Sequence, residues 1–137
     1  MDEWSDDGSA VPSLEAVAPL LAVSIGEAPG DLRPVHAGVF GSVARGDARR
    51  GSDVDILLVR RGEIRYDHPR WTRWLLDLRL GLYARTGWEN EVLDLSPVEM
   101  ARMGRESPCL AQALLTDEVV VAGPPVIDLI RPVSVVA

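Results

Sequence analysis

The sequence predicts an α/β (α+β) fold, a small mixed β-sheet of about four strands covered by helices. Three observations carry that prediction. Short apolar runs bounded by Gly, Pro or Asp recur at 35–40, 54–59, 91–95 and 118–121, and read as strands. Segments with apolar residues at i, i+3 and i+4 alternate with them and read as helices. The resulting order, α-β-α-β-α-β-α-β, is that of strands packed between helices. With 137 residues the chain suffices for one domain with a real core and is too short for two.

Each element has its own local reason. Ser13 can cap a short helix on which Leu14, Val17, Leu20 and Leu21 form an apolar stripe. Glu27-Ala28-Pro29-Gly30-Asp31 is a loop by composition. Val35–Phe40 forms a first strand, Ser42–Arg45 a short helix start, and Asp47–Ser52 a polar loop. Val54–Val59 forms a second strand, and its run Ile56-Leu57-Leu58-Val59 calls for cover on both faces. Arg60–His68 is a connection that extends this strand or forms a hairpin. Pro69–Arg85 is helical, with Trp71, Trp74, Leu75, Leu78 and Leu82 on one face, and Thr86-Gly87 stops it. Glu91–Leu95 is a third strand. Ser96-Pro97-Val98-Glu99 is a capping box with proline at the first helical position. The helix it opens breaks near Ser107-Pro108 and resumes to Leu115. Glu118–Val121 is a short edge strand, and Gly123-Pro124-Pro125 closes the compact part. The expected organisation is a flexible segment over 1–12, one domain over 13–123 and an apolar tail over 124–137 suited to a partner.

Composition narrows the function. Apolar residues make up 47% of the chain, which places it among globular proteins. The net charge of −7 argues against broad binding of nucleic-acid phosphates, which needs a basic face. All 14 basic residues are arginine, a bias that codon composition explains. Cys109 is the lone cysteine, so no disulfide framework exists, and it is expected to be a packed core thiol. His36 and His68 stand apart, without zinc-ligand spacing. No apolar stretch reaches 18 residues and the first residues, Met1–Asp7, are acidic, so a cytoplasmic protein without a membrane span is expected.

The chemistry is concentrated in Gly38–Val59. A Gly41-Ser42 turn follows the first apolar run, an Arg45-Gly46 pair closes the short helix, and Ser52-Asp53-Val54-Asp55 enters the second strand. Carboxylates two residues apart on a strand share a face, repel one another and are costly to bury without a cation. A divalent metal is the usual compensation, and a phosphate beside it the usual reason. Gly41 lets the backbone approach such a phosphate, and Ser42 and the N–H groups after it stand at a helix start that favours an anion. A third carboxylate has two candidates, Glu91 and Asp94, which on a regular strand face opposite sides. Arg49 and Arg50 read as a solvated loop, Trp71 and Trp74 as core or partner-facing residues, and Arg70, Arg73 and Arg79 as a solvated helix face.

Gly41-Ser42-Val43-Ala44-Arg45-Gly46 followed by Ser52-Asp53-Val54-Asp55 resembles the signature of the DNA polymerase β-like nucleotidyltransferase superfamily. Within it the chain is most similar to the minimal nucleotidyltransferase (MNT) group. The strong match spans Gly38–Val59, and agreement in element order runs from about residue 32 to 123. The resemblance implies a nucleotidyltransferase fold with Asp53, Asp55 and Glu91 as catalytic and metal-holding residues. It implies Gly41, Ser42, Arg45 and Ser52 at the nucleotide, one or two Mg²⁺ ions, and ATP as substrate. Laid on the group's third-strand pattern, Asn90-Glu91-Val92-Leu93-Asp94 puts Glu91 where the group usually has Asp; Asp94 takes that role if the strand bulges. Small MNT proteins resemble the antitoxin half of HEPN–MNT toxin–antitoxin pairs. The resemblance therefore implies AMP transfer to a protein hydroxyl (AMPylation) and a HEPN-type toxin as partner in a hetero-oligomer; the acidity of the chain and its lack of room for primer-holding domains argue against nucleic acid as a direct ligand. Two other classes stay open: a non-catalytic module that neutralises its partner by contact, and an adenylyltransferase acting on a small molecule.

Overall fold

Residues 10–130 are described in the computed structural model. Helix α1 (Leu14–Gly26) starts at Ser13, whose side chain accepts a hydrogen bond from the Ala16 N–H at 3.3 Å. Strand β1 (His36–Phe40) runs without a break into the short helix α2 (Gly41–Arg45), and β2 (Val54–Val59) follows a polar loop. Helix α3 (Pro69–Thr86) has proline in its first turn and ends at Gly87, in the left-handed conformation (φ 76°) that terminates helices. Then come β3 (Asn90–Leu95), α4 (Pro97–Glu106), α5 (Pro108–Asp117), β4 (Val119–Ala122) and a 3₁₀ turn at Val126–Asp128. The Ser96–Glu99 capping box closes both ways: the Glu99 N–H donates to Ser96 Oγ at 3.1 Å, and the Ser96 N–H to Glu99 Oε1 at 2.8 Å.

The four strands form one mixed sheet in the order β3-β2-β1-β4. β1 pairs antiparallel with both β2 and β4, whereas β2 and β3 are parallel and need the crossover that α3 supplies. Helices α1 and α3 cover one face, over Val39, Ile56 and Leu58. The pair α4–α5 covers the other, where Met100, Met103, Ala111 and Leu114 meet Leu57 and Val59. β2 is thus buried on both sides, as its unbroken apolar run requires.

Two polar assemblies are built into this core. Asp94 points to the α3 side, where Oδ2 accepts from Trp71 Nε1 at 2.9 Å and Oδ1 from Arg60 Nη1 at 2.8 Å. Arg60 is itself buried, and its Nε donates to the Ile64 carbonyl at 3.1 Å, fastening the turn after β2. On the other face the His36 ring is enclosed, with Nδ1 2.9 Å from the Pro124 carbonyl and Nε2 2.6 Å from Oε2 of Glu118. A carbonyl only accepts, so Nδ1 carries hydrogen. Gly38 makes room for this carboxylate, since a Cβ there would collide with Oε2.

Three expectations change and one is narrowed. The 60–68 connection is neither strand nor hairpin but a series of turns around buried Ile64. Cys109 is exposed rather than packed, because α5 turns Ala111 and Leu114 inward and position 109 lies on its outer side. Trp71, read as core or partner-facing, is fully buried and takes the core place. The compact part extends past 123: Val126 and Ile130 are buried with Met100 and Leu114. The remainder of the expected tail, 131–137, and residues 1–9 of the expected N-terminal segment lie outside the described residues.

Trp71→Phe keeps most of the apolar contact but removes the donor to Asp94. Because a half-buried carboxylate then loses a partner, the unfolding free energy should fall by about 2 kcal/mol in urea titration. A loss near zero would show that Arg60 alone satisfies Asp94.

Candidate functional site

The site residues gather at one end of the sheet, where β1 ends and β2 and β3 begin. Phe40, the last residue of β1, is the register partner of Asp55, and Asp55 in turn is the register partner of Glu91 on β3. Neighbouring strands in register present these side chains on one face, the α4–α5 side. Gly41 follows Phe40 directly, at φ 75°, a conformation that side chains disfavour. A Cβ on Gly41 would also collide with Oδ2 of Asp55, so the turn and the carboxylate are in contact. No side chain caps the start of α2, because its N-cap is Phe40.

Charge is unbalanced here. Asp55 is half-buried, while Asp53 and Glu91 are exposed. Partial burial pushes the Asp55 carboxyl above the usual carboxylate range; the charges of Asp53 and Glu91 push the same way, and Arg45 pulls back. Arg45 is tied down at the far end of α2, where Nε donates to Asp47 Oδ2 at 3.2 Å and Nη1 to Asp117 Oδ2 at 3.1 Å. Ser52 braces the loop before β2, its Oγ accepting from the Arg49 N–H at 2.8 Å. Asp53, Asp55, Glu91, Gly41 and Arg45 therefore form one electrostatic neighbourhood. Asp94 stands apart, three residues along β3 on the opposite face, in its bonds to Trp71 and Arg60. Burial raises its carboxyl too, against the opposing pull of Trp71 and Arg60.

The donor chemistry suits a hard divalent cation, which takes carboxylate oxygens. Among the described residues, however, no group of three or more His, Cys, Asp or Glu is already drawn together as a metal site. That is compatible with Mg²⁺, which is usually held by one or two carboxylates together with substrate phosphates rather than by a protein cage.

Two residues near the site escaped the sequence reading. Asp117, which anchors Arg45, follows an amphipathic helix and looks like ordinary helix-end polarity. Arg79 lies on the exposed helix face as read, but its guanidinium also bonds to Asn90 at the start of β3. Its neighbours on that helix behave as read, Arg70 pairing with Asp31 and Arg73 with Asp77 near the surface.

A mixed sheet with a Gly-Ser turn and a carboxylate pair at the shared end of its first two strands defines a nucleotidyltransferase-type domain. The nucleotidyltransferase domain family matches residues 29–102, more than half of the chain, and the chain belongs to that family. The fold is shared with solved toxin–antitoxin structures. One, a toxin–antitoxin with AMP-PNP, is 19% identical at a TM-score of 0.52, covering 78% of this chain and 73% of that one. A mutant of the toxin–antitoxin MntA–HpeT is 17% identical at 0.53, with the same coverage. A tri-AMPylated Shewanella oneidensis HEPN toxin in complex with MNT antitoxin is 14% identical at 0.50, covering 84% and 82%. No curated protein matches the chain. Among the described residues no helix is long and apolar enough to cross a membrane.

The charge crowding at Asp55 has a measurable consequence. A carboxyl whose pKa is raised by folding favours the folded state at low pH, and that contribution is lost as pH rises through the folded value. Asp55→Asn removes the repulsion, so at pH 7 without metal it should raise the melting temperature by roughly 2 °C, the shift that about 0.5–1 kcal/mol produces in a domain of this size. The gain should shrink as pH falls toward 4 and vanish by about pH 3, well below the ordinary Asp value, where the carboxyl is protonated folded and unfolded alike. A melting temperature lowered at pH 7 would show that Asp55 is held by a compensating partner instead.

Proposed function

We propose that this chain is a Mg²⁺-dependent nucleotidyltransferase that moves AMP from ATP onto a hydroxyl of a partner protein, acting as the MNT antitoxin of a HEPN–MNT pair. The observation that carries the reading is the contact of the Gly41 turn with Asp55, which itself stands in register with Glu91. One place then offers backbone donors for a triphosphate and carboxylates for its counter-ion. The unit that does this is the single domain expected over 13–123, extended by the packed residues to Ile130.

The reaction divides among the residues by chemistry. The N–H groups at the start of α2 and the Ser42 hydroxyl are free of a capping side chain and would bind phosphate oxygens. Arg45, held at the end of α2, would add positive charge, and Ser52 would keep the intervening loop in shape. Asp53 and Asp55, with Glu91, would hold Mg²⁺, which when bound supplies neutralisation of the triphosphate charge. Glu91 is exposed and therefore open to an acceptor; it would take the proton as the hydroxyl oxygen bonds to the α-phosphorus. The bond from that phosphorus to its bridging oxygen then breaks and pyrophosphate leaves. Positioning and charge neutralisation carry the acceleration.

Support for the biological role comes from the structures that share the fold, which include a toxin–antitoxin with AMP-PNP and an AMPylated HEPN toxin with its MNT antitoxin. The contact-only reading draws on a specific observation as well, the lack of a ready-made carboxylate cluster among the described residues. The net charge of −7 keeps nucleic acid an unfavourable ligand in either case.

Calorimetry of ATP binding separates the two. Wild type should bind ATP with Mg²⁺ present, and Asp53→Asn should weaken that binding at least tenfold and abolish its dependence on Mg²⁺. Absence of binding by wild type, alone and with a HEPN partner, would leave the contact-only module. In a transfer assay Glu91→Gln should lower the rate about 100-fold or more, while Asp94→Asn should act chiefly through stability. The reverse ranking would reject Glu91 as the acting carboxylate.

A further inference from the structure

β3 lies at the edge of the sheet, paired with β2 alone. A strand with one ladder depends on its side chains to hold register, and a slip of one residue would turn Glu91 to the opposite face. The residue before Glu91 is Asn90, which is only 5% exposed. Its side chain and backbone are both grasped by a single arginine of α3. Arg79 Nε donates to Asn90 Oδ1 at 3.2 Å and Nη2 to the Asn90 carbonyl at 2.8 Å, and Asn90 Nδ2 donates back to the Arg79 carbonyl at 3.1 Å. This reciprocal clasp ties side chain to side chain and each side chain to the other's backbone. At the far end of the strand Asp94, on the same face as Asn90, is fixed by Trp71 and Arg60. β3 is thus pinned at both ends from the α3 side, and Glu91 projects from the opposite face beside the inner pin.

We propose that Arg79 and Asn90 are positioning residues for the candidate site: their clasp fixes the register of β3 and so holds Glu91 across from Asp55. The inference rests on the reading of Glu91 as the acting carboxylate. The planar fork of Arg79 makes two of the three bonds at fixed spacing, so lysine, a single point donor, reproduces only part of the clasp. Neither residue touches nucleotide or acceptor; both act through the placement of Glu91.

The test is a double-mutant cycle on label transfer from α-phosphate-labelled ATP to a HEPN-type toxin protein, combined with native-state hydrogen exchange. Arg79→Ala and Asn90→Ala should each lower kcat about 10- to 100-fold with little change in KM for Mg²⁺-ATP, the cost of a small misplacement of a reacting group. Arg79→Lys should recover part of the loss. Arg73→Ala, on the same helix but bonded to Asp77 rather than to β3, should leave transfer unchanged. Combined with Glu91→Gln, Arg79→Ala should add almost nothing, because both remove the same contribution. Without nucleotide, Arg79→Ala should speed exchange of the β3 amides roughly tenfold while leaving α1 and β1 protected. Full additivity with Glu91→Gln, or a rise in KM at constant kcat, would overturn the positioning role and leave the site reading standing. Glu91→Gln without effect would overturn both. If wild type transfers no label, the transferase reading falls, and the exchange data decide on the clasp alone: unchanged β3 protection in Arg79→Ala rejects it.

Discussion

The structure depends on the burial of β2. Within β2, Ile56–Val59 is apolar on both faces, so one helix layer must cover each side, and its two hydrogen-bonding edges must be filled by β1 and β3. Once those neighbours take their registers, Phe40 stands on one side of Asp55 and Glu91 on the other, with the Gly41 turn against the carboxylate. The strand that is hardest to move therefore carries the most strongly perturbed carboxyl of the candidate site at its first turn inward from solvent. A site anchored this way gains precision from the core, since any shift of Asp55 would disturb packing that runs the length of the strand.

Against that precision stands an electrostatic cost. Asp55 is half-buried beside two further carboxylates, with Arg45 as the opposing charge, and Arg45 is itself shared with Asp47 and Asp117. The same chain treats its other inward charges differently. Asp94 receives two hydrogen bonds, and Glu118 is set against His36, with space reserved by Gly38. Asp94 is bonded through both oxygens and Glu118 through Oε2, its buried Oε1 having no partner among the described residues, whereas the carboxylates at the strand ends face one another. Such repulsion, only partly offset by Arg45, is what a site for a cation and a phosphate would need, and on physical grounds it makes this end of the sheet the candidate site.

Much of the fold was legible because its signals are local. The Ser96–Glu99 box, the stop at Gly87, the break at Ser107-Pro108 and the double-sided run in β2 each follow from residues within one or two turns. What was open or misread falls where distant parts of the chain decide. Trp71 follows the helical period of a surface-facing residue as well as of a core one, and only Asp94, 23 positions on, gives its indole a buried partner. The burial of Val126 and Ile130 depends on Met100 and Met103 of α4 and Ala111 and Leu114 of α5, which no neighbouring residue announces. Cys109 was misjudged by helical phase, which cannot be read until the helix has a side to face.

The candidate site divides along the same line. The Gly-Ser turn, the Arg-Gly pair and the Asp53-x-Asp55 pair are contiguous, and their residue types alone define the chemistry they can perform. By itself the sequence determined the class of fold, the expectation of phosphate and metal chemistry at Gly38–Val59 and the acidity of the whole. Which carboxylate of β3 stands across from Asp55 was open, because Glu91 and Asp94 differ only in the face they occupy. That face is set by the pairing of β2 with β3 and by the bonds that Arg79, Trp71 and Arg60 make to the strand's inner side. Period-two alternation tells which residues share a face, but only packing against α3 tells which face turns toward the site.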